Sequence, residues 1–64
     1  MSVFEAVFLK IDGLDEREIE FRPLSSGILE EASQEAMKMF APKEANFIKI
    51  LADGRVVHKI GIDL

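Results

Sequence analysis

The dipeptide Asp53-Gly54 stands between two short runs rich in apolar and β-branched residues, "NFIKILA" and "RVVHKIGI". No other feature of the chain constrains its fold as tightly. A two-residue type I′ turn needs positive φ at both central positions, which Asp and Gly tolerate at little cost. The second half of the chain is therefore expected to be a β-hairpin. That turn sets Ala52 opposite Arg55, Leu51 opposite Val56, Ile50 opposite Val57 and Lys49 opposite His58.

The first half repeats the plan with weaker signals. Residues 3–11, "VFEAVFLKI", are β-branched and aromatic, and too short for a helix of ordinary length. "DGLDE" is turn chemistry, with Gly13 free to take positive φ. "REIEFRP" alternates: Ile19 and Phe21 point one way, Glu18, Glu20 and Arg22 the other, and Pro23 ends the strand or places it at an edge. A five-residue loop sets Leu9 opposite Ile19 and Val7 opposite Phe21. It also sets Lys10 opposite Glu18, a pair worth a few tenths of a kcal/mol.

Between the hairpins lies "SSGILEEASQEAMKMFAP". Ser25 or Ser26 is suited to cap a helix start, Glu30 and Glu31 suit its positive end, and Lys38 suits its negative end. Pro42 forbids continuation. At 100° per residue, Ile28, Leu29, Ala32, Ala36, Met39 and Phe40 fall in an arc of roughly 120°, a stripe that faces a core.

The fold class expected is α+β: one domain over residues 1–64, a four-stranded sheet with one helix on one face, in the order β-β-α-β-β. The spatial order expected is 2-1-4-3, that of a small β-grasp-like sheet, with a wholly antiparallel sheet as the alternative. In topology alone this plan resembles ubiquitin-like chains. The terminal "GIDL" lacks the paired glycines of conjugation, so the resemblance implies no function.

Composition narrows the function classes. With 64 residues and no cysteine, neither a disulfide framework nor a thiolate metal site is available. Stability has to come from apolar burial, shared with a second chain if one's own core falls short. A net charge of −4 and a pI near 4.8 disfavour phosphate backbones and anionic membranes as partners. No apolar run exceeds four residues, too few to span a bilayer, and Glu5 interrupts what a signal peptide would need. A cytoplasmic protein is the resulting expectation.

One helix covers one face of a sheet, yet both faces of this sheet are apolar. A row of large side chains is therefore expected to remain bare and to serve as a protein interface. The residues assigned to it are Phe4, Phe8, Phe47, Leu51, Val56, His58 and Ile60, the alternative being that the second hairpin turns its other face, Ile48, Ile50, Ala52 and Val57, outward. The partner expected is a second copy, packed sheet on sheet across a two-fold axis, or another protein. The function expected is that of a non-enzymatic subunit, adaptor or inhibitor.

Two other classes compete. The first is a ligand-binding or enzymatic dimer whose pocket forms at the protomer seam around His58 and Lys49. His58 is the only histidine, and no orienting third group or nucleophile motif accompanies it. The second is a weak nucleic-acid module using Lys43, Lys49, Arg55 and Lys59. It lacks interleaved aromatic platforms. The acidic stretch from Asp12 to Glu20 lacks the spacing of a calcium loop. Neither a metal, nor a cofactor, nor a catalytic residue is expected.

Overall fold

In the computed structural model, which describes residues 4–62, the chain forms β1 (Phe4–Asp12), β2 (Asp15–Pro23), α1 (Leu29–Lys38), β3 (Phe47–Ala52) and β4 (Arg55–Gly61). The α+β class and the order β-β-α-β-β are as expected. The spatial order is not. The strands lie β2-β1-β3-β4, and every neighbouring pair is antiparallel. Charge explains why β3, and not β4, sits beside β1. β3 carries one charged residue, Lys49, and buries Ile48 and Ile50. β4 carries Arg55, His58 and Lys59, all exposed, and an edge position lets them keep their water. β2 and β3 consequently run parallel with β1 between them, and α1 makes the crossover.

The first hairpin closes more tightly than its composition suggests. Asp12 pairs with Asp15, so the loop is Gly13-Leu14 alone, with Gly13 at φ 65°. Leu9 lies opposite Glu18 and Lys10 opposite Arg17, one step off the expected register. A bulge then intervenes: Phe8 pairs with Glu20, and Ile19 is the extra residue. Beyond it Val7 meets Phe21, as expected. Pro23 has no N–H to give, and the ladder continues through the Leu24 N–H to the Phe4 carbonyl at 2.9 Å.

The second hairpin begins as expected. Asp53 at φ 52° and Gly54 at φ 81° form the turn, Ala52 pairs with Arg55 and Leu51 with Val56. A bulge then makes Val57 the extra residue. Ile50 faces His58 and Lys49 faces Lys59, not Val57 and His58. A one-residue slip moves every later side chain of β4 to the opposite face.

At the outer end of β1 a side chain extends the sheet. The Asn46 N–H reaches the Leu9 carbonyl at 3.0 Å. The Asn46 side-chain amide then accepts from the Ile11 N–H at 2.8 Å and donates to the Ile11 carbonyl at 2.9 Å. It takes the place of one more backbone step.

α1 is shorter than the apolar stripe. Its N-cap is Ile28, which makes no side-chain cap, and Met39 already leaves helical geometry at ψ 151°. Continuing the helix would drive the Pro42 ring against the Lys38 carbonyl. The serines act differently from the capping expected. The Ser26 hydroxyl accepts from the Ile28 N–H at 3.2 Å. The Glu35 carboxylate reaches back to accept from the Ser25 N–H at 3.1 Å, the Ser25 hydroxyl at 3.0 Å and the Ser26 N–H at 3.3 Å. These bonds, the Ser25 N–H foremost, hold the Glu35 carboxyl below the usual carboxylate range.

Of the expected stripe only Ala32 and Ala36 are fully buried, and Met39 is half-buried. Ile28 and Phe40 are exposed. Two alanines let the helix lie close on the sheet, but so narrow a contact leaves larger flanking residues outside it. The helix-side core joins those alanines to Phe4, Ala6, Phe8, Leu24, Ala45, Ile48 and Ile50. Phe8 is further covered by the Arg22 guanidinium, 5.2 Å from its ring centre and paired with Glu20.

Candidate protein interface

Antiparallel partners share a face, so the register sorts the side chains. Phe4, Ala6 and Phe8 of β1 stand with Ala52, Ile50 and Ile48 of β3 beneath α1. The helix-free face carries Glu5, Val7, Leu9 and Ile11 of β1, Phe21, Glu18 and Glu16 of β2, Phe47, Lys49 and Leu51 of β3, and Val56 and Lys59 of β4.

The centre of this face is closed without any second layer. Val7 and Leu9 are 1% and 0% exposed. Lys49 adjoins Val7, Glu16 adjoins Ile11, and Leu9 lies between them along β1. The Lys49 Nζ–Glu16 Oε1 bridge, at 2.7 Å, therefore passes over Leu9. The lysine stem supplies apolar cover while its head stays paired. That hydrogen bond and the Lys49 charge, helped by Lys59, lower the Glu16 pKa.

Around the strap the apolar residues remain partly or largely bare. Phe21 is 55% exposed and Val56 47%, while Ile11, Phe47 and Leu51 are half-buried. Charge is divided across the face: Glu16 and Glu18 lie on the β2 side, Lys49 and Lys59 on the β3–β4 side.

The expected interface set is thus split. Phe47, Leu51 and Val56 lie on the helix-free face. Phe4 and Phe8, 7% and 0% exposed, are core residues beneath α1, so they add nothing to a bare surface. The Val57 bulge turns His58 and Ile60 to the helix side, where His58 borders Leu29, Glu30, Ser33 and Gln34. Phe21 was absent from the set, although its alternation with Glu20 and Arg22 already gave it one face; choosing that face needed the position of α1.

The competing constellations also separate. His58 and Lys49 face opposite sides of the sheet. Lys43 precedes β3 and Arg55 follows the turn, so they flank opposite ends of the hairpin, and Lys49 is already paired. Among the described residues no three His, Asp or Glu side chains are placed to share a metal ion, and no helix is long and apolar enough to cross a membrane. Searches of family models, of curated proteins and of solved structures find no match to this chain.

Proposed function

We propose that this chain is a non-enzymatic protein-interaction module that pairs with a second copy through the helix-free face of its sheet, as a subunit, adaptor or inhibitor. The observation that carries the reading is Phe21, more than half exposed on a face that has no second layer among the described residues. The chain exposes 4681 Å². A monomer of 7.2 kDa is expected to expose about 4,100 Å² from general scaling.

Size and charge favour a second copy as the occupant. The long axes of the molecule, 34 × 21 Å, give a face of about 700 Å². Two such faces would remove roughly 1,400 Å² from water, within the standard class of specific interfaces. A two-fold axis running along the strands lays the β2 side of one copy over the β4 side of the other. Acidic Glu16 and Glu18 then approach the side bearing Lys59. An axis across the strands would stack like on like, so charge selects the first arrangement.

The test is mass in solution by sedimentation, for the wild type and Phe21→Glu. Phe21 has about 110 Å² to bury, worth roughly 3 kcal/mol in each copy at ~25 cal/mol per Å². The wild type should sediment at twice the 7.2 kDa of one chain. Phe21→Glu should weaken pairing by at least about 100-fold while keeping its circular dichroism. A wild type that stays monomeric from micromolar to millimolar concentration refutes the proposal.

A further inference from the structure

We propose that the outer edge of β4, with the groove between it and α1, binds an extended acidic segment of another protein by adding it to the sheet as a fifth strand. This surface is separate from the helix-free face. Two observations converge on it.

The first is shape. α1 packs over β1 and β3 and leaves β4 largely uncovered. A groove of about 320 Å³ results, lined by Met37 and Met39 of the helix side and by Ile48, Ile60 and Ile62 of the sheet. Met37 is 63% exposed at its rim. Methionine adapts to varied apolar partners, so the groove suits a side chain that is apolar but not of one fixed shape. β4 ends the order β2-β1-β3-β4, and its outer side has no neighbour among the described residues. Added strands gain affinity from such main-chain groups and specificity from pockets beside them.

The second is charge. The chain as a whole carries −4. From Arg55 to Ile62 there is no acidic residue, while Arg55, His58 and Lys59 are all exposed. The opposite edge differs: β2 holds Asp15, Glu16, Glu18 and Glu20 against Arg17 and Arg22. A segment alternating acidic and apolar residues matches the β4 edge. Its apolar side chain beside Ile60 enters the groove and its carboxylates on the other face meet Lys59, while Arg55, on the helix side with Ile60, adds its charge along the edge. Basic segments are repelled. Edge cations also discourage aggregation in general, and the experiment separates that role from recognition.

The probe is a capped, fluorescein-labelled nine-residue peptide alternating Val and Glu, compared with one alternating Val and Lys. Fluorescence anisotropy reads affinity, and amide NMR shifts read the place. The Val/Glu peptide should bind saturably, weaken as salt rises, and shift amides of 55–61. The Val/Lys peptide should bind at least ten-fold more weakly. The variant Arg55→Glu/Lys59→Glu, both exposed positions, should invert that preference with unchanged circular dichroism. Three outcomes overturn the proposal: neither peptide binds; both bind equally; or the shifts fall on Phe21 and Leu51. So does a fourth, in which the peptide stays free and the wild type forms open-ended chains that the double variant abolishes. That result would give the edge to the acidic β2 of another copy.

Discussion

Replacing Asn46 with alanine removes a side chain that acts as backbone. Its amide both accepts from and donates to Ile11, at 2.8 and 2.9 Å, across 35 residues of sequence. Alanine leaves the Ile11 N–H and C=O without these partners at a half-buried site. Each such bond contributes about 1 kcal/mol net, and water reaches the site in part, so the loss is expected near 2 kcal/mol. The whole domain is held by roughly 3–10 kcal/mol on a per-residue basis. The variant should therefore lose a large share of its stability, seen as a fall in the urea midpoint with unchanged slope. In heating it should melt about 8–16 °C lower. Protein concentration has to be held fixed, because association adds apparent stability. Asn46→Asp keeps the acceptor for the Ile11 N–H but sets an anionic oxygen against the Ile11 carbonyl. At neutral pH it should be no more stable than the alanine variant. A loss below about 0.5 kcal/mol for alanine, or wild-type stability for aspartate, would refute the assignment.

Acid should weaken the fold through two carboxylates. Glu16 and Glu35 both have lowered pKa values, so their contribution is present above the ordinary glutamate value of 4.5 and is lost as pH falls below it. Glu35→Gln should flatten the decline of stability with pH in that range, measured by urea titration at each pH; an unchanged slope counts against the Ser25–Glu35 contact. Leu9→Ala, at a site 0% exposed beneath the Lys49–Glu16 strap, should cost 2–5 kcal/mol, while Leu14→Ala, fully exposed in the turn, should stay within about 0.5. Equal effects at the two positions would show that Leu9 is not packed as described.

The class, the order of elements and the Asp53-Gly54 turn were legible because each rests on local chemistry. Positive φ at 53 and 54 and the Pro42 stop need no tertiary information. The bulges at Ile19 and Val57 were not legible. Nothing in "EIEFR" or "RVVHK" distinguishes an extra residue from an ordinary one, since the bulged residues are themselves good strand formers. The cost of missing them was unequal. In the first hairpin a two-residue loop and a bulge together restore the expected Val7–Phe21 pairing. In the second the bulge moved His58 and Ile60 across the sheet and parted His58 from Lys49. The face chosen by α1 was equally hidden: both sides of β1 are apolar, and only packing puts Phe8 rather than Leu9 under the alanines. Alternation alone put Phe47, Leu51 and Val56 on one face of the second hairpin; that this face is the helix-free one, and that Phe21 shares it, required the helix to be placed.

The seam between β1 and β3 also governs how the molecule comes together. Each hairpin closes over two residues and forms on the microsecond scale. Joining them waits on a loop some 35 residues long, the separation of Ile11 from Asn46. That closure entropy makes docking of the halves the slow event. Two quick halves with one slow junction are open to exchange: the β3–β4 half of one molecule finds the same contacts on the β1 of another, with α1 as the hinge. Refolding at high concentration is thus expected to yield interlocked pairs in which each molecule completes its neighbour's sheet.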